Sequence, residues 1–194
     1  MDKGIHRGYF SIAGITNTMI FPFQKLYIFA PMQFRNATTH DMPAIVAIYN
    51  STIAGRMVTA DTEPVSVESR MPWFNVHNPE KRPLWVVEEN GIMIGWVSFQ
   101  SFYGRPAYDG TAEISIYLDE CQRGKGYGKK ILEYAMAQCP SIGIKSLLGF
   151  IFSHNEPSIK LFEKLGFTSW AHLPNIAVLD GVERSLDILG KRIY

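Results

Sequence analysis

The stretch Gln122-Arg123-Gly124-Lys125-Gly126-Tyr127-Gly128-Lys129-Lys130 decides how this chain is read. An alternating pattern, Thr111–Leu118, runs into it. Ala112, Ile114, Ile116 and Leu118 face one way; Thr111, Glu113, Ser115 and Tyr117 face the other. That period of two is a strand with two distinct faces. An amphipathic pattern at helical spacing, Tyr127–Gln138, runs out of the stretch. Strand, glycine loop, helix is an arrangement that turns backbone N–H groups toward an anion. The glycines let the main chain come close, and the helix N-terminus adds about half a positive charge. Lys125, Lys129 and Lys130 add whole ones. The stretch therefore predicts a seat for a phosphate-bearing ligand, with a glycine-rich turn carrying solvated lysines as the plain alternative. Spacing narrows the class. A P-loop needs Ser or Thr after its lysine, and none follows Lys129 or Lys130. A dinucleotide fingerprint opens a βαβ unit, whereas Gly124, Gly126 and Gly128 fall late in the chain. What fits is Arg-x-x-Gly-x-Gly, carried by Arg123, Gly126 and Gly128.

Around that stretch lie 194 residues, enough for one domain with a real core. The net charge is +1 with the basic residues spread out, which argues against a nucleic-acid surface. Cys121 and Cys139 have no metal-type spacing and read as free thiols of a reducing, cytoplasmic compartment. No histidine lies near Cys121 in sequence to make it a nucleophile, and no metal is called for. No run reaches the roughly 18 apolar residues of a membrane helix. Residues 1–31 are apolar and aromatic but broken by glycines and prolines and hold neither period for long. They read as an extension, and residues 32–194 as the domain.

Within the domain, residues 33–37 read as a first strand. Asp41 is placed to cap a helix that runs to about residue 54, with Pro43 in its first turn. A loop at 55–64 leads to a second helix over 66–76, weakened by Pro72. Strands are expected at 84–88 and 92–102, joined by Asn90-Gly91, a strong hairpin signal. After the glycine-loop helix come an apolar strand at 144–152 and a helix that Asn155 caps and Gly166 closes. Strands at 167–173 and 183–191 end the chain. The order implies an α/β (α+β) fold: a mixed central sheet of about six to seven strands with helices on both faces.

This order and the Arg-x-x-Gly-x-Gly loop resemble the GNAT (Gcn5-related) N-acetyltransferases. Further segments are similar to the phosphinothricin N-acetyltransferase branch of that family. They are Ala47-Ile48-Tyr49-Asn50, Arg70 with Trp73-Phe74, Gly104-Arg105-Pro106-Ala107-Tyr108, and Thr111-Ala112-Glu113 through Tyr117-Leu118. Asn155-Glu156-Pro157-Ser158 and Lys164-Leu165-Gly166-Phe167 continue the likeness, which covers about residues 34–189. The resemblance implies acetyl-CoA as co-substrate. It places Ile116, Tyr117 and Leu118 along the pantetheine arm and Arg123, Gly124, Lys125, Gly126, Tyr127, Gly128 and Lys129 around the pyrophosphate. It places Asn155 near the pantetheine or the departing thiol, although Asn155 also reads as an ordinary helix cap. Arg105, Tyr108, Glu113 and Ser115 are implied to meet a small-molecule amine, and a homodimer is implied as well.

Direct acetyl transfer needs a neutral amine, so some group must take the ammonium's proton. Glu113 stands on the polar face of the strand, a few residues before the cofactor strip, and the family carries a glutamate there as general base. A solvated strand glutamate paired with a cation is the plain reading beside it. Many GNAT enzymes place a tyrosine on the last helix to protonate the leaving thiolate; this chain has Phe162 there. Tyr117, or a water held by Asn155, stands in reserve, and His154 reads as a loop histidine. Arg105 offers a bidentate fork to a carboxylate or phosphinate or is a surface arginine. Arg70 and Trp73 read mainly as packing residues of the second helix. The leading expectation is acetylation of a phosphinothricin- or methionine-sulfoximine-like amino acid. Acetylation of protein N-termini or other amines, and CoA binding without catalysis, are the alternatives.

Overall fold

The structure is a computed structural model and describes residues 31–194. All but the last residue of the expected 1–31 extension therefore lies outside the described residues. Seven strands form one sheet: β1 (Gln33–Asn36), β2 (Leu84–Glu89), β3 (Ile92–Ser101), β4 (Thr111–Leu118), β5 (Ser146–Phe152), β6 (Thr168–Leu179) and β7 (Val182–Arg192). Their spatial order is β1-β2-β3-β4-β5-β7-β6. Only β4 and β5 run parallel; every other neighbouring pair is antiparallel. The helices are α1 (Met42–Ser51), α2 (Val67–Asn75), α3 (Tyr127–Gln138) and α4 (Glu156–Lys164). This is the mixed sheet expected from the sequence.

Strand alternation divides the apolar side chains between two cores. Trp85 and Val87 of β2, Val97 and Phe99 of β3, and Ala112 and Ile114 of β4 face α3 and α4. There they meet Ile131, Leu132 and Ala135, all fully buried, and Phe162. Leu84, Val86 and Trp96 point the other way and meet Met42, Ile45, Val46 and Ile48 of α1. Each such large side chain contributes about 1.5–3 kcal/mol when fully buried. The polar side of β4 is therefore covered by α1 and α2, and Glu113 lies half-buried against this second core. Among the described residues no helix is long and apolar enough to cross a membrane.

Two local readings change. Asp41 sits at the α1 N-cap position without capping it. Its carboxylate instead accepts from the Thr38 N–H at 2.7 Å and from both terminal nitrogens of Arg35 at 2.7 and 2.8 Å. A guanidinium fork outcompetes a single helical N–H for a carboxylate. β6 continues through Pro174 to Leu179, because an edge strand tolerates a proline where the pairing register slips between Leu173 and Ala177. The hairpin then closes on Asp180-Gly181, both at positive φ. Between β3 and β4 the chain makes a tight turn over Pro106–Tyr108.

Candidate active site

β4 and β5 pair only from Thr111–Ser146 to Glu113–Leu148, yet β4 continues to Leu118 and β5 to Phe152. Beyond that point the two strands part, and a cleft of about 380 Å³ opens between them. Gly149 of β5 lies on its wall. A Cβ there would lie 2.5 Å from the ring of Phe162, so the glycine lets α4 press in against the strand. The cleft runs from Ile114 to Leu118 on one bank and Gly149 to Ile151 on the other, and it ends at the glycine loop.

The loop suits an anion for reasons of its backbone. Gly124 and Gly126 take φ of 75° and 81°, a region costly for other residues. α2 and α4 are capped by the side chains of Ser66 and Asn155, whereas α3 begins on Gly126, which has no side chain to offer. The first N–H groups of α3 therefore stay available at the positive end of the helix. A Cβ on Gly128 would come within 3.2 Å of Leu161, so this glycine also seats α3 against α4.

Nine of the residues expected along the cofactor line this cleft: Ile116, Tyr117, Leu118, Arg123, Gly124, Gly126, Gly128, Lys129 and Asn155. Lys125 and Tyr127 do not. Lys125 donates to Gln122 Oε1 at 3.0 Å, and the Tyr127 hydroxyl turns away to Glu89 at the end of β2. The Asn155 amide is engaged at both ends. Its oxygen caps α4 at the Ser158 N–H, and its nitrogen donates to the Met57 carbonyl at 2.9 Å. His154 Nε2 lies 2.8 Å from the Arg56 carbonyl. These two contacts hold the loop after α1 across the cleft, where Met57 and Val58 complete its wall.

A second cavity, about 190 Å³, lies on the opposite face of the sheet under α1 and α2. Its walls are Ile45, Val46 and Tyr49 of α1, Arg70 and Trp73 of α2, Trp96, Ser98 and Gln100 of β3, and Glu113, Ser115 and Tyr117 of β4. Ser115 and Tyr117 line both cavities, so the two spaces share a stretch of β4 as a wall. Burial raises the Glu113 carboxyl above the usual carboxylate range. It raises the Tyr117 hydroxyl further still, with the nearby Tyr49 adding to the effect. Tyr117 stacks on Trp96 at 4.3 Å. The Tyr49 hydroxyl meets Thr59 and donates to Asp61 Oδ2 at 2.5 Å. A carboxylate that holds protons more tightly than usual, in a pocket that shares a strand with the cleft, has the chemistry to accept a proton from an ammonium.

Arg105 and Tyr108 stand at the turn between β3 and β4. Neither lines the cavity that holds Glu113. Pro106 winds the segment into a turn, the Tyr108 ring leans on Phe102 at 5.6 Å, and Arg105 is left exposed. Arg70 and Trp73, read from sequence as packing residues, stand in the cavity instead. Thr59 and Asp61 were missed altogether. They sit in a loop without periodicity, and their only signal was polarity shortly before a helix.

A family model described as the acetyltransferase (GNAT) family matches residues 45–167, a span that holds both cavities. A protein of Bacillus subtilis named as a candidate phosphinothricin acetyltransferase, YwnH, is 57% identical over 84% of this chain and 99% of its own. The L-methionine sulfoximine/L-methionine sulfone acetyltransferase of Salmonella typhimurium is 31% identical, over 81% of this chain and 91% of its own. The crystal structure of a phosphinothricin acetyltransferase from Sinorhizobium meliloti in complex with acetyl-CoA superposes with a TM-score of 0.77 at 26% identity. It covers 83% of this chain and 88% of that one. Parted strands over a glycine loop, in a sequence this close to those enzymes, place the chain in the GNAT acetyltransferase family.

Proposed function

We propose that the protein transfers an acetyl group from acetyl-CoA directly to the amino group of a small amino-acid-like substrate of the phosphinothricin or methionine sulfoximine type. The observation that carries this reading is the junction at β4. Glu113, Ser115 and Tyr117 face the small cavity, while the strand they share forms one bank of the cleft. Relatives that acetylate such amino acids, and a similar structure that holds acetyl-CoA, support it.

In this reading the cleft residues from Ile116 to Leu118 offer backbone groups that no longer pair with β5. Arg123, Lys129 and the N–H groups around Gly124, Gly126 and Gly128 receive the phosphates. Acetyl-CoA supplies an activated thioester. Glu113, directly or through one water, takes the proton of the incoming ammonium, and backbone N–H groups of β4 that face the cleft steady the charge developing on the acetyl oxygen. Phe162 packs edge-on against Phe167 at 4.8 Å and has no proton to give. Asn155 has its amide committed at both ends, which leaves Tyr117 at the junction as the hydroxyl that can donate to the departing sulfur. Its raised pKa keeps it protonated. A thiol near pKa 8.5 leaves well enough for such a hydrogen bond to suffice. The domain over 32–194, read from periodicity, the cytoplasmic location, read from the free thiols, and the homodimer, implied by the family resemblance, belong to the same proposal.

The test is thiol release from acetyl-CoA against a panel of phosphinothricin, methionine sulfoximine, methionine sulfone, common amino acids and dipeptides. Turnover confined to the first three supports the reading. Turnover with dipeptides alone would favour protein N-termini, and none with any amine would leave CoA binding without catalysis.

A further inference from the structure

We infer that Arg70 is the residue that selects substrates carrying a free carboxylate beside the amine. This rests on the amino-acid acetyltransferase reading and adds the substrate feature that the site reads. The small cavity has one anionic lining residue, Glu113, and one cationic one, Arg70. All its other walls are uncharged, with the rings of Tyr49, Trp73 and Trp96 prominent among them. A zwitterion satisfies both charges at once: its ammonium meets Glu113 and its carboxylate meets Arg70.

Arg70 is held for this role. Its guanidinium lies over the Tyr49 ring, 4.4 Å from the centroid, and Nη2 donates to Asp61 Oδ2 at 2.5 Å. Among the described residues, Nε and Nη1 have no hydrogen-bond partner. The ring and Asp61 fix the plane of the guanidinium, and donors remain for a second carboxylate. Asp61 is itself steadied by the Tyr49 hydroxyl. Its side chain keeps 42% of its exposure, against 25% for Arg70, so the ion pair is half open to solvent rather than locked in the core. A pair of that kind contributes little to stability. The geometry instead holds a cation in place at the wall of a cavity. Arg105, the arginine that the sequence offered for this task, lies outside that cavity.

The experiment compares methionine sulfone, whose side chain is uncharged, with its α-carboxamide, which keeps the amine and loses the carboxylate. The wild-type enzyme should prefer the acid. Arg70→Gln should raise KM for the acid roughly 10–100-fold, the worth of a charge-assisted hydrogen-bond pair. The kcat, the KM for acetyl-CoA and the rate with the amide should change little, so the acid-over-amide preference collapses. Arg70→Lys, which keeps charge without the fork, should recover only part of it. An unchanged preference in Arg70→Gln would overturn the inference. A thermal-shift titration of the same two proteins with methionine sulfone, without acetyl-CoA, separates the two proposals. Should no amine be acetylated, stabilisation of wild type but not of Arg70→Gln would still support the carboxylate site. Equal stabilisation of both would refute it.

Discussion

The cleft between β4 and β5 and the cavity under α1 and α2 share two residues and little else in their construction. The cleft is made of main chain. Strands that stop pairing expose their edges, glycines at positive φ turn N–H groups outward, and a helix begins without a side-chain cap. The cavity is made of side chains. Two tryptophans, three tyrosine and arginine groups and a half-buried glutamate converge from two helices and two strands, tied together by Thr59 and Asp61 from a loop. A main-chain site tolerates many sequences and recognises what all its users share, phosphate and amide. A side-chain site changes with each substitution and recognises what one substrate has.

The sharpest way to break this comparison is to remove the one carboxylate of the cavity. Glu113→Gln keeps the shape and removes the basicity. We expect kcat/KM to fall by at least about 10²-fold at neutral pH, with acetyl-CoA affinity retained. In wild type, activity should decline as pH falls through a Glu113 pKa that burial has raised above the ordinary range. The variant lacks that limb, and its deficit should shrink as pH rises and more amine arrives already neutral. Steady-state rates across pH decide this. A deficit independent of pH would reduce Glu113 to an orienting group.

The reverse cut belongs in the cleft. Gly126→Asp puts a carboxylate before the α3 N-terminus without a clash, because a Cβ there meets nothing within 4 Å. Acetyl-CoA affinity should drop roughly tenfold or more, by like-charge repulsion with the phosphates. Positive φ alone costs on the order of 1 kcal/mol. Gly143→Asp, at φ 73° with equally open space and away from the cleft, carries that cost without the electrostatics. Isothermal titration of both variants isolates the electrostatic loss. Equal affinities would mean the loop does not cradle the anion.

The same difference explains what could be read in advance. A main-chain site announces itself through residues chosen for backbone reasons, so the spacing of Arg123, Gly126 and Gly128 marked the loop at which the cleft ends. The sheet was legible because Ala112, Ile114 and their neighbours alternate, and because Asn90-Gly91 fixes a turn. The side-chain cavity was legible only along β4, where Glu113, Ser115 and Tyr117 share the strand's polar face. Tyr49 and Trp96 look like core, Arg70 and Trp73 like packing residues of the second helix, and Thr59 and Asp61 like loop. Only the long-range pairing of β3 with β4 under α1 brings them together. Arg105 is the opposite case: its motif was visible, but its surroundings depend on a turn that packs Tyr108 against Phe102. Gly149 was silent in the sequence, since its role is to admit Phe162.

The smallest expected effect is on stability. A carboxyl whose folded pKa is raised binds its proton more tightly in the native state than in the unfolded chain, where the value is about 4.3. Between those two values the native state holds the extra proton, so stability declines as pH rises through the window and stays lower above it. At neutral pH the wild-type protein thus carries the cost of a charge half-buried among Tyr49, Trp96 and Tyr117, relieved only in part by the cavity. Glu113→Gln is neutral at every pH and carries none of it. Its melting temperature should exceed that of wild type at pH 7 to 8, by on the order of a degree or two, and the gap should close below about pH 4. Gly126→Asp, with its anion at the exposed start of α3, should show no such closing gap. A Glu113→Gln protein less stable than wild type at pH 7 would mean that the carboxylate is held by favourable contacts rather than strained by burial. The cavity would then be a structural ion site, and the cleft alone would remain as the functional part of β4.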